Sequence, residues 1–199
     1  VFCSFNNSYK ISVEEFDIWI KLLDTVKNSS LLLLSPNKEM KSNLQNFANS
    51  NNINLDRLIF LEKTSFEDHL SRHSLADLFL DTFNYNAHTS AVDSLWTGLP
   101  ILTKVGKSFS SRICGSLLNY LELDQLVVKN DKDYFNKAVE LATNTKKYKE
   151  IKDKIIEAKK LGNYFDTKKY TQNLEKAYIK AHQMRVLENK FDNIYIEEN

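Results

Sequence analysis

The chain has 199 residues, 42% of them hydrophobic, 27% charged and 12% aromatic, enough apolar material for one or two globular domains. Lys and Arg number 27 against 26 Asp and Glu, a formal charge of +1, so coating of nucleic acid by bulk electrostatics is excluded and any anion site must be local. Four Gly and two Pro exclude collagen-like, linker-like and Pro-rich readings. The two Cys, Cys3 and Cys114, match no metal spacing. They read as buried reduced thiols of a cytoplasmic protein, with a disulfide between them as the alternative.

Residues 1–5, VFCSF, read as a core strand. A start inside a strand, without an initiator Met, suggests a piece of a longer polypeptide. Residues 31–34, LLLL, form the second strand; the block is far shorter than the roughly 18 residues that cross a bilayer, so no membrane partner is expected. Further strands are expected at 57–61, 78–80, 100–103 and 125–128. Continuous apolar runs of this kind suit strands covered on both faces, as in a parallel sheet.

Helical spacing fills the intervals. Val13, Phe16, Ile20 and Leu23 repeat on one face, opened by Ser12 and Glu15 in capping-box spacing. Leu44 with Phe47, then Val92, Leu95 and Trp96, then Ile113, Leu117 and Leu118 continue the pattern. Six alternations predict an α/β fold, a doubly wound Rossmann-like parallel sheet with right-handed crossovers. Such sheets bind ligands at the C-terminal ends of their strands.

After Asn130 the strand signal stops. Helices are expected around Tyr134, Ala138 and Leu141, around Ile151 and Ile155, and around Leu174, Ala177, Tyr178 and Ala181, the last reached through Gly162 and Asn163. The expected organisation is a lobe over 1–161, a C-terminal helix over 162–187 and a loosely held tail over 188–199. The Lys-rich stretch 146–180 reads as a solvated helix face, with a phosphate-binding or acidic-partner surface as the alternative.

Three loops carry candidate chemistry. In the stretch 80–100, LDTFNYNAHTSAVDSLWTGLP, a strand ends, a polar loop follows, and helical spacing begins near Thr89. His88, Thr89 and Ser90 then stand at a helix N-terminus, where unpaired amides, the helix dipole and two hydroxyls favour a phosphate. Asp93, one turn on, can accept hydrogen bonds from sugar hydroxyls. The loop FNNSYKI, residues 5–11, leaves the first strand toward the same edge and brings Lys10 within reach of a pyrophosphate. In TSFEDHLSR, residues 64–72, His69 and Arg72 share a helical face, where an imidazole can stack on a flat base and a guanidinium can bond its carbonyl. Each has a plainer alternative: capping for Thr89 and Ser90, a surface lysine for Lys10, a solvated or capping histidine for His69, with His73 the adjacent decoy.

Together these stretches resemble the C-terminal catalytic half of the O-linked N-acetylglucosaminyltransferase family, which includes the plant SPINDLY proteins and related bacterial enzymes. The resemblance runs from Phe5-Asn6 through 80–100 and Phe109-Ser110-Ser111-Arg112 to Phe165-Asp166 and 174–178, in order over most of the chain. It implies one lobe of a two-lobed GT-B glycosyltransferase that transfers sugar from a UDP-sugar donor to Ser or Thr of a protein or peptide acceptor, with inversion; a bacterial branch uses Asn.

By position, the resemblance makes Lys10 the catalytic lysine that holds the donor diphosphate. Asn7 stands where the family often has Gln near the donor. His69 and Arg72 become the uracil pair with the Thr64 main chain beside them, His88, Thr89 and Ser90 the diphosphate loop, and Asp93 the ribose ligand. Phe66 replaces a ribose-binding lysine of one branch, Ser90 replaces Thr, and Ala91 replaces Gly. No metal or cofactor and no nucleic-acid or membrane partner is expected. The N-terminal lobe and helical repeats that accompany this half elsewhere in the family lie outside these residues. The alternative is a non-catalytic nucleotide-binding or regulatory module. An unrelated doubly wound protein is disfavoured, since neither a Gly-rich dinucleotide fingerprint nor a Walker loop occurs.

Overall fold

The computed structural model describes residues 1–35, 37–160 and 165–196. Six strands form one sheet: β1 (Phe2–Ser4), β2 (Leu31–Leu34), β3 (Leu58–Leu61), β4 (Leu78–Leu80), β5 (Ile101–Lys104) and β6 (Val127–Val128). Their order is β3-β2-β1-β4-β5-β6, and every pairing is parallel. This is the expected doubly wound α/β sheet, with each expected strand present and its ends moved by at most two residues. Phe2 pairs with Leu31 on one side and Leu78 on the other, so β1 lies at the centre. The chain winds outward from β1 through β2 to β3, then returns to β4 and winds the opposite way. The connections that follow β1 and β4 therefore run to opposite sides of the sheet, and the ends of these two strands form its switch point, where sheets of this kind bind ligands.

Helices α1 (Val13–Thr25), α2 (Lys38–Ser50), α3 (Phe66–Ser71), α4 (Thr89–Trp96), α5 (Ile113–Tyr120), α6 (Asp131–Thr143), α7 (Thr145–Lys160) and α8 (Thr167–His182) follow in order. Their starts obey capping chemistry. The Ser12 and Glu15 side chains and backbones bond reciprocally at the start of α1, and Asn37, Ser65, Asn130 and Asp166 accept from backbone amides at the starts of α2, α3, α6 and α8. Helix α1 packs against α6, which also covers β4 and β5. Between them Trp19, Phe79, Tyr134 and Ile101 are fully buried, and each such side chain contributes roughly 2–3 kcal/mol of transfer free energy. Cys3 and Cys114 are buried free thiols whose pKa values burial raises well above the usual range. That leaves them inert rather than paired.

Three helix faces differ from the spacing-based reading. Val13 and Trp96, expected on core faces, are exposed. Each lies at a helix end, where the apolar stripe has run past the sheet it covers. No residue of α8 is buried, so Leu174, Ala177, Tyr178 and Ala181 form no core among the described residues. The chain divides into two compact units, Val1–Ala158 and Lys159–Asn199. The approach to α8 through Gly162 and Asn163, and the boundary between 161 and 162, lie outside the described residues.

Candidate functional site

The loop after β1 turns back at once. Phe5 and Asn6 are buried, and the Asn6 amide nitrogen donates to Asp81 Oδ1 at 3.2 Å and to Thr82 Oγ1 at 3.0 Å. The Asn7 carbonyl accepts from the Lys10 amide at 3.0 Å, closing a short 3-10 turn that lifts Lys10 onto the rim. Lys10 Nζ then reaches across to the loop after β4, donating to the Asn86 carbonyl at 3.0 Å with its ammonium 4.0 Å from the Tyr85 ring centre. Burial lowers the Lys10 pKa, while the Asp81 carboxylate favours the charged form.

The loop after β4 is organised from below by Asp81. Its Oδ1 accepts from the Thr82 amide at 2.8 Å and the Ala87 amide at 2.6 Å, and its Oδ2 from Thr103 Oγ1 at 2.6 Å. With Asn6, four donors surround one buried carboxyl, which burial nevertheless pushes up to about 6. A buried carboxyl without such partners would cost several kcal/mol, of order 2–7 for even a neutral polar group. Around it, Thr82 Oγ1 donates to the Tyr85 carbonyl at 2.7 Å, Asn86 Nδ2 to the Thr82 carbonyl at 2.7 Å, and Tyr134 Oη to the Asp81 carbonyl at 3.0 Å.

This scaffold presents His88 at the N-cap of α4 and Thr89 and Ser90 as its first residues. The amides of Ala91 and Val92 return to the His88 carbonyl at 3.0 and 3.2 Å, closing the first turn. The amides of Thr89 and Ser90 precede those bonds and point outward, as helix geometry requires. Asp93 follows one turn later, half-buried.

The loop after β3 completes the rim. Thr64 Oγ1 donates to Asp68 Oδ2 at 3.1 Å, and Ser65 Oγ accepts from the Asp68 amide at 3.2 Å. His69 sets its ring edge-on to Phe5 at 5.8 Å. Burial lowers the His69 pKa, Arg72 lowers it further and Asp93 opposes them, so its neutral imidazole predominates at pH 7. Burial raises the Asp93 pKa, and the charge of His69 opposes that rise. Arg72 lies three residues on, donating from Nη2 to the Glu62 carbonyl at 3.0 Å. His73 is a buried core residue, its Nδ1 2.9 Å from the His69 carbonyl and its ring 4.9 Å from Phe5.

Of the residues singled out from sequence, the fold joins Lys10, His88, Thr89, Ser90, Asp93 and His69 on one rim. Asn7 and Thr64 stand at its exposed edge with local hydrogen bonds, and Arg72 braces the end of β3. Asp81 and Tyr85 were not singled out; a charged residue closing an apolar strand is the signal that points to Asp81. A fourth loop, after β5, also takes part. The Ser110 carbonyl accepts from the Asn86 amide at 3.0 Å and lies 3.4 Å from His88 Nε2, while Ser110 Oγ donates to the Asn84 carbonyl at 3.1 Å. Gly106 permits this turn, because a Cβ there would stand 2.4 Å from Ser111 Oγ. Among the described residues, no group of three or more His, Cys, Asp or Glu could hold a metal ion, and no helix is long and apolar enough to cross a membrane.

Glycosyl transferase family 41 matches residues 1–174 of this chain, a span that includes all four loops. The chain belongs to that family. Family 41 relatives include the Caenorhabditis elegans UDP-N-acetylglucosamine--peptide N-acetylglucosaminyltransferase, 34% identical over 88% of this chain and 15% of the relative. The Arabidopsis thaliana protein SEC and the SPINDLY protein of Eustoma exaltatum subsp. russellianum carry the same name as probable enzymes. Each is 32% identical, over 90% and 89% of this chain and 18% and 20% of their own lengths. A solved mutant of the Thermobaculum terrenum O-GlcNAc transferase has the same fold, with a TM-score of 0.86 at 24% identity over 95% of this chain and 37% of that one. The chain therefore spans a fifth or less of these curated relatives.

Proposed function

We propose that this chain is the donor-binding lobe of an inverting protein glycosyltransferase, taking a UDP-sugar and passing the sugar to Ser or Thr of a protein acceptor. The observation that carries this reading is that Lys10, His69 and the α4 N-terminus meet through Tyr85, Asn86 and Phe5 at the switch point between β1 and β4, with Asp93 one turn into α4. Family 41 membership and the names of its relatives support a glycosyl transfer from UDP-N-acetylglucosamine.

Each part of the rim suits one part of such a donor. The uracil lies against the neutral His69 ring, with Arg72 and the Thr64 main chain at its edge and Asn7 on the near side of the loop. The ribose hydroxyls donate to Asp93. The diphosphate rests on the amides of Thr89 and Ser90, the Ser90 hydroxyl, His88 and the Lys10 ammonium. Transfer proceeds by direct displacement at the anomeric carbon, in which negative charge accumulates on the departing diphosphate. Donors fixed around that charge stabilise the transition state more than the bound substrate. Removing one such donor costs about 3 kcal/mol, on the order of a hundredfold in rate. In this reading no metal is needed, because Lys10 and the helix N-terminus supply the positive charge. The acceptor site, the second lobe of the GT-B pair and helical repeats lie beyond this chain, and the assembled enzyme works in the cytoplasm.

Titration calorimetry tests the reading. UDP is expected to bind the chain and to bind Lys10→Ala and His69→Ala at least tenfold more weakly. Pyrophosphate affinity is expected to fall only for Lys10→Ala. Equal UDP affinity in all three proteins contradicts the assignment.

A further inference from the structure

Tyr85 occupies an unusual place on the rim. Tyr85 is 37% exposed at the rim, and its ring touches two of the groups assigned to the diphosphate. The Lys10 ammonium lies 4.0 Å from the ring centre, and the His88 ring meets it edge-on at 4.8 Å with planes at 85°. The backbone of Tyr85 is fixed, since its carbonyl accepts from Thr82 Oγ1 at 2.7 Å and Thr82 is tied to Asp81. Lys10 comes from a different loop, carries four rotatable side-chain bonds and touches this loop at the Tyr85 ring and at the adjacent Asn86 carbonyl. A carbonyl fixes one N–H direction of an ammonium; the face of an aromatic ring fixes the side on which the charge rests.

Resting on the donor-binding reading above, we propose that Tyr85 is a positioning residue for Lys10: its ring face and the Asn86 carbonyl together hold the ammonium on the loop that leads into α4, on the side where the donor diphosphate binds. Tyr85 acts through Lys10, and the required feature is the ring face, not the hydroxyl. The edge-on contact with His88 helps hold the ring in place beneath the Lys10 ammonium. A lysine without this support samples many rotamers and must be ordered by the ligand at binding, which weakens affinity.

The test uses the full chain and two probes, UDP and inorganic pyrophosphate. Tyr85→Leu is expected to weaken both by about fivefold, the range of a partly desolvated cation–π contact, and Tyr85→Phe to restore both. In a Lys10→Ala background the Leu substitution is expected to add nothing, because the two residues act as one unit. Nuclear magnetic resonance supplies a readout independent of ligand: the Lys10 ε-protons are expected upfield from the ring current in the wild type and Tyr85→Phe, and at ordinary positions in Tyr85→Leu. Unchanged affinity in Tyr85→Leu, an equal loss in the Lys10→Ala background, or a loss in Tyr85→Phe as large as in Tyr85→Leu overturns the inference. If the wild type binds neither probe, the donor-binding reading fails, and the ε-proton shift still decides whether Tyr85 holds Lys10.

Discussion

The loop after β4 buries three of its polar side chains, whereas the loop after β3 keeps its polar side chains at the surface. Asp81, Thr82 and Asn86 are fully buried, and the network they form bonds to the loop after β1, to β5 and to α6, all distant in sequence. Thr64, Ser65, Phe66 and Asp68 are exposed, and their hydrogen bonds reach no further than one helical turn. The first loop is preorganised by the whole sheet; the second is held by its own cap. Charge stabilisation gains most from donors that need not move, whereas a flat base can be met by a surface that adjusts. The contrast therefore assigns rigidity to the diphosphate end of the site and adaptability to the uracil end.

The largest expected effect lies in the buried network. Asp81→Ala strips four donors of their acceptor and is expected to destabilise the fold by at least about 3 kcal/mol in denaturant unfolding. A loss below about 1 kcal/mol would mean that the loop after β4 does not depend on this carboxyl.

The pH dependence sharpens the same point. Asp81 has a folded pKa of about 6, above its ordinary value of 3.8, so its protonated form is favoured by folding. Its contribution is fully present below pH 3.8 and is lost as pH rises through about 6, a span worth about 3 kcal/mol. Glu14, Asp24 and Glu140 shift the opposite way, each lowered first by a side-chain hydrogen bond, and their contributions are lost as pH falls. Because those groups are shared, the stability of the wild type minus that of Asp81→Asn isolates Asp81. The difference is expected to fall steadily between pH 4 and 6.5, and a flat difference would contradict the shift.

The smallest effect belongs to the ribose. Asp93→Ala is expected to weaken UDP by about three- to tenfold, the value of one or two hydrogen bonds, and to leave pyrophosphate unchanged. Equal losses for both ligands would remove Asp93 from that role.

Much of this architecture was legible in the residues. All six strands stood out because a sheet covered on both faces leaves uninterrupted apolar runs, and LLLL at 31–34 is such a run even in isolation. The position of β1 at the centre followed from the doubly wound pattern, which brought the loops at 5–11 and 81–88 to one edge. The faces of Val13, Trp96 and α8 were not legible, since periodicity reports an apolar stripe and not what covers it. Asp81 and Tyr85 escaped notice for another reason. Their importance lies in partners 6 to 75 residues away in sequence, such as Ala87, Thr103 and Asn6 for Asp81 and Lys10 for Tyr85, which no local spacing encodes.

The central claim is that Lys10, His69 and the start of α4 form one nucleotide site. A titration of the isotope-labelled chain with UDP, followed by amide and side-chain resonances, tests it directly. The account predicts that Lys10, His69, Thr89, Ser90 and Asp93 shift together along one saturation curve, while Phe2, Leu141 and Tyr148 at the opposite end of the sheet stay fixed. Shifts confined to one loop, or distinct curves for Lys10 and His69, would contradict it.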